Sequence, residues 1–187
     1  MLRIAVFLLA TSLVSLQGAD LAAAQRSYHV AGRAVVDMAN TQKVDVAVVE
    51  AKVLEMTRHS VALAQAYAAK FPDGKPVIDM TIAQAAILGP DGAVTGLGPM
   101  QNLPFSDIEE QWHDLGHFKT NPVGIDLSDE KNEHFTDPLH TIIHPIMTLV
   151  AARAYAKEGK PDDLKAMKAE MEEGIEQAEK LVEALNK

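Results

Sequence analysis

The chain has 187 residues, a formal net charge of −9 at pH 7 and no cysteine. That length suits one domain, and the acidic balance argues against nucleic acid or an anionic membrane surface as a partner. Without thiols there are no disulfides, no thiol catalysis and no covalent c-type haem, and any metal must be held by imidazole, carboxylate or thioether.

At the N-terminus, Arg3 supplies a positive charge, Ile4 to Leu16 is apolar, and Ala22, Ala23 and Ala24 are small. This order predicts a secretory signal peptide over 1–24, cleaved after Ala24. The apolar run is too short to span a bilayer comfortably, so a periplasmic or secreted protein without a membrane anchor is expected. Residues 25–43 are mixed, and Gly32 weakens any helix there, so they read as an N-terminal arm. The rest, 44–187, reads as a single helical-bundle domain.

Within it, Val46, Val49, Val53, Met56, Ser60, Leu63 and Tyr67 recur at 3-4 spacing. They predict a long amphipathic helix from Val44 to about Phe71, ended by Pro72, Asp73 and Gly74. A short helix is expected over Pro76 to Leu88, a loop over Gly89 to Gly98, and a further helix over about Phe105 to Phe118. Thr120 to Glu130 is polar and irregular. Asp137 as a cap, with Pro138 at the first helical position, opens a helix to about Lys157 that Gly159 terminates. Pro145 should kink it beside His144. Pro161 opens the last helix, to about Leu185. Its Glu170, Glu172, Glu173, Glu176 and Glu179 alternate with lysines and read as a solvated face. The expected fold is all-α: a four-helix-type bundle with one interrupted, two-piece helix.

Five of the seven histidines lie between His113 and His144. His113/His117 and His140/His144 are each spaced i,i+4, which on a continuous helix aims two imidazoles at one spot. One pair ends its helix and the other begins the next, so antiparallel packing can bring all four together. His113, His117, His140 and His144 are therefore the expected ligands of a transition metal ion, with zinc, copper or iron suited to imidazole. His59, Met147, Glu110 and Asp137 are secondary contributors. Glu110 and Asp137 each stand three residues before a histidine, the Glu-x-x-His spacing of di-iron bundles with Asp in the second copy. A di-iron oxidase also needs carboxylates on the other two helices, and the spacing singles none out, so no catalytic residue is assigned. Asp114 and Asp137 are alternatively second-sphere partners that orient imidazoles. Trp112 reads as a core anchor.

The layout resembles exported haem bundles of the cytochrome b562 type over about the last 50 residues, in architecture alone. Those proteins use a Met and a His on their terminal helices. The last helix here carries no histidine, so that ligand pattern does not transfer. The expected function is an exported metal-binding protein for storage, buffering or delivery. The alternatives are a bundle that grips haem b non-covalently for electron transfer and a metal-free interaction protein of the cell envelope. Paired surface histidines could also bridge a homo-oligomer.

Overall fold

The computed structural model describes the backbone of residues 2–120 and 123–187, and side chains for 20–118 and 123–187. The expected signal segment 1–24 therefore lies mostly outside the described side chains.

Four long helices form the bundle: α1 (Leu2–Thr41), α2 (Val46–Lys70), α5 (Thr136–Glu158) and α6 (Pro161–Asn186). Two short ones, α3 (Lys75–Ala85) and α4 (Phe105–Ile108), lie in the connection between α2 and α5. In the bundle, α1 packs on α2 and α6, and α5 packs on the same two. Among the described residues, no helix is long and apolar enough to cross a membrane.

The stripe read on α2 is the buried one: Val49, Val53, Met56, Ser60, Leu63 and Tyr67 all face the core. Asp45 caps this helix, accepting from the backbone N–H groups of Ala47 and Val48. Such a cap satisfies donors that the first helical turn cannot. At the C-terminus of α5, Gly159 takes the left-handed conformation at φ 66° and ends the helix as expected.

The fourth long helix is not the interrupted one. Residues 25–41, expected to be an arm, continue α1 and bury Tyr28, Ala31, Val35, Val36 and Ala39 in the core. Gly32 permits this close packing, since a Cβ there would lie 2.9 Å from Ile175 Cγ1 of α6. The two pieces expected to make the interrupted helix are the short α3 and α4, which are additional to the four long helices. Between α3 and α4 lies an antiparallel hairpin of β1 (Ala86–Leu88), where the end of a helix was expected, and β2 (Val94–Leu97), where a loop was expected. Strands of three and four residues are too short to show a period of two. Arg58 Nε of α2 donates to the Val94 carbonyl at 3.2 Å and ties the hairpin to the bundle.

Pro145 sits inside α5. Having no N–H, it leaves the carbonyl four residues back, that of Thr141, without its helical donor. The Tyr28 hydroxyl of α1 donates to that carbonyl at 3.1 Å, in a fully buried position. The helix defect is thus repaired from the segment that reads locally as an arm. Burial raises the Tyr28 pKa well above the usual phenol value, which keeps the hydroxyl protonated as a donor. The Tyr28→Phe variant strands the Thr141 carbonyl and is expected to lose about 1–3 kcal/mol of stability. Urea unfolding measures this, and an unchanged midpoint would show that the carbonyl finds another partner.

Candidate metal centre

The histidines of α5 are placed by an unbroken helix. His140 and His144 stand one turn apart, with ring centroids 5.5 Å apart. His113 arrives from outside the bundle. After α4 the chain makes a π-helical turn over Glu109–His113, closed by the Asp114 N–H donating to the Glu109 carbonyl at 2.7 Å. Wide turns of this kind reset which side chains face inward. The His113 ring stacks on His140 at 4.5 Å and meets His144 edge-on at 5.0 Å. One ring nitrogen from each of the three lies within 4.8 Å of the other two.

Each ring has one nitrogen turned to an oxygen acceptor. His113 Nδ1 faces Asp114 Oδ1 at 3.1 Å, His140 Nε2 faces the His113 carbonyl at 3.0 Å, and His144 Nδ1 faces Glu170 Oε2 at 2.9 Å. A carbonyl or carboxylate can only accept, so the facing ring nitrogen carries the proton and donates. In a neutral imidazole the other nitrogen then bears the lone pair. The lone pairs fall on His113 Nε2, His140 Nδ1 and His144 Nε2. Hydrogen bonds of this type fix the tautomer and ring orientation of metal-binding histidines. His144 is the most telling: its side chain is 1 % exposed, and its Nε2 is buried with no hydrogen-bond partner. Such an orphaned buried atom is costly in a folded protein. Burial, together with the neighbouring His113 imidazole, pushes the His140 pKa down to about 4. Near neutral pH that ring therefore has no proton to shed before it ligates.

The structure brings His113, His140 and His144 together. His117 stacks on Trp112 at 4.9 Å. The expected helix to Phe118 stops at His113, because Leu115 turns left-handed at φ 60° and a 3-10 turn follows over Gly116–Thr120. The i,i+4 relation of His113 and His117 is lost with the helix. Trp112 is buried, as its reading as an anchor requires. His59 is half-buried on α2 near Glu55 and Arg58, and burial lowers its pKa. Met147 is enclosed in the apolar core. Glu110 is exposed. Asp137 is half-buried, where desolvation raises its pKa against the opposing pull of Lys180 and His134. Among the described residues, His117, His59, Glu110 and Asp137 do not join the three-histidine group. Of the two aspartates considered as orienting groups, Asp114 contacts a ligand imidazole.

Two residues of α6 complete the site and run against the sequence reading. Glu170 belongs to the face read as solvated, yet it points inward, 14 % exposed, onto His144. Gly174, one turn later, leaves room for α5: a Cβ there would lie 2.9 Å from His144 Cβ and 2.8 Å from the Tyr28 hydroxyl. The available signal was Gly174 itself. A lone glycine inside a Lys/Glu/Ala-rich helix costs about 1 kcal/mol relative to alanine and marks a packing constraint. The glutamate four residues before it shares its face.

Comparison with protein-family models, with curated proteins and with solved structures returns no match to this chain. The functional reading therefore rests on the three imidazoles and their partners.

Proposed function

We propose that this protein binds one transition-metal ion through His113, His140 and His144, and serves in storage, buffering or delivery of that ion. The observation that carries the reading is the buried His144 Nε2 without a hydrogen-bond partner, in a ring 5.0 and 5.5 Å from two imidazoles that each have one nitrogen already committed. An all-nitrogen donor set suits zinc, copper or iron. Zinc–imidazole bonds of about 2.0–2.1 Å place tetrahedral donor nitrogens roughly 3.4 Å apart, a separation compatible with three nitrogens that lie within 4.8 Å of one another. A bare ion fits better than haem b, because His113 stacked on His140 at 4.5 Å leaves no slot for a macrocycle between them. Export through a signal peptide over 1–24 belongs to the same proposal. Cleavage after Ala24 would remove the buried Ala24 and the partly buried Leu21 but spare Tyr28, Ala31, Val35, Val36 and Ala39.

The test uses protein purified without a nickel column and stripped with a chelator. Zinc, copper and iron are titrated while metal content and thermal unfolding are followed. One equivalent is expected to bind, with a stabilisation of about 2.7 kcal/mol once free metal reaches 100 times Kd. His140→Ala and His144→Ala, checked for folding by circular dichroism, should lose the response, and His117→Ala should keep it. Absence of stoichiometric binding by all three metals would overturn the reading.

A further inference from the structure

The arrangement of the two carboxylates says what kind of metal site this is. Asp114 and Glu170 hydrogen-bond to the cluster, and both engage the Nδ1 side of an imidazole. The two nitrogens of an imidazole point away from each other, so a carboxylate held at one stands behind the ring relative to an ion at the other. Neither is on the side of its ring that bears the remaining lone pair. Among the described residues, no further His, Asp or Glu joins the three. The surroundings are also uneven. The His144 side chain is 1 % exposed at the floor of the cluster, while that of His113 is 25 % exposed at its mouth.

From this we infer that the bound ion keeps one coordination position open toward solvent on the His113 side, filled by water and exchangeable for a small anion. Three protein donors plus one water is the pattern of open sites, whereas purely structural zinc sites close all four positions with protein. The three imidazoles are neutral ligands, so a divalent ion retains its full charge at the open position and attracts a monodentate anion. The carboxylates behind the rings raise imidazole basicity without occupying that position. The inference rests on the metal reading above and deepens it.

Cobalt(II), which takes the same donors and is coloured, is the probe, and azide is the test anion. The first measurement is the visible spectrum and bound cobalt of the wild-type protein after gel filtration. Azide is then titrated and bound cobalt is measured again. The expected result is one equivalent of cobalt, a visible band, and a saturable one-to-one spectral shift with cobalt retained. A cobalt spectrum indifferent to azide would mean that the protein fills the fourth position, which overturns this inference and leaves the metal reading standing. Loss of cobalt to azide would overturn it as well, since displacement is not exchange at an open position. Failure to bind cobalt would overturn this inference, and the metal reading falls with it only if zinc, copper and iron also fail to bind.

Discussion

Replacing Glu170 with alanine is expected to weaken zinc binding by roughly 10–100-fold, the usual effect of losing a partner that orients a metal-binding histidine. The cause is specific to this geometry. Without Glu170, the buried His144 Nδ1–H loses its acceptor, and the imidazole has no reason to keep its proton on that nitrogen. The other tautomer puts the proton on Nε2, where the metal would bind. The metal-free protein also suffers, because an unpaired buried donor costs about 1–3 kcal/mol. Glu170→Gln separates orientation from charge. Its amide oxygen still accepts from Nδ1–H, so the tautomer holds and affinity should fall by less than in the alanine variant. Competition with a chromophoric zinc chelator measures both variants. Equal affinity in wild type and Glu170→Ala would mean that the carboxylate does not orient the ligand.

Gly174→Ala is expected to destabilise the protein and disturb the site together. An added Cβ would sit 2.8 Å from the Tyr28 hydroxyl and 2.9 Å from His144 Cβ. Neither can step aside freely: the hydroxyl is held by the Thr141 carbonyl, and His144 Cβ is fixed to the α5 backbone. Overpacking of this kind costs about 1–3 kcal/mol, partly offset by the roughly 1 kcal/mol that alanine gains over glycine within a helix. A net loss is expected in thermal unfolding, with weaker metal binding because His144 is displaced. Gly32→Ala is the control. Its Cβ would meet Ile175 Cγ1 and Cδ1 at 2.9 and 3.0 Å and Met171 Sδ at 3.1 Å. These are side-chain atoms not fixed to the backbone, so a smaller loss than in the Gly174→Ala variant is expected, with metal binding unchanged. Equal stability of the Gly174→Ala variant and wild type would show that α6 can shift away from His144 without cost.

The two histidine pairs looked equivalent in the sequence and are not. His140 and His144 keep their i,i+4 relation because the helix around them is continuous. Pro145 costs that helix one hydrogen bond, and Tyr28 restores the partner of the stranded carbonyl. His113 and His117 lose theirs at Leu115, whose left-handed backbone no local pattern announces. The π-helical turn before it sets the direction of His113, and spacing along an ideal helix does not describe such a turn. Residues 25–41, expected to belong to an arm, are helical for the opposite reason. Gly32 lowers local helix propensity, but close packing against Ile175 and Met171 makes a small residue necessary there. Tertiary packing supplies most helical stability and overrides a weak local preference.

By itself, the sequence determined the helical class, most of α2, α5 and α6, the exclusion of thiol chemistry, and the stretch of chain in which a histidine site would lie. These follow from periodicity, capping residues and composition, which act over a few turns of chain. Only the tertiary structure decided which three imidazoles meet, that Glu170 turns inward, and that Tyr28 repairs the helix at Pro145. Those outcomes depend on close approach between segments 26 to 113 residues apart, such as Glu170 with His144 and Tyr28 with Thr141. The distance between such groups is set by how small residues let helices touch, and no local rule reports it.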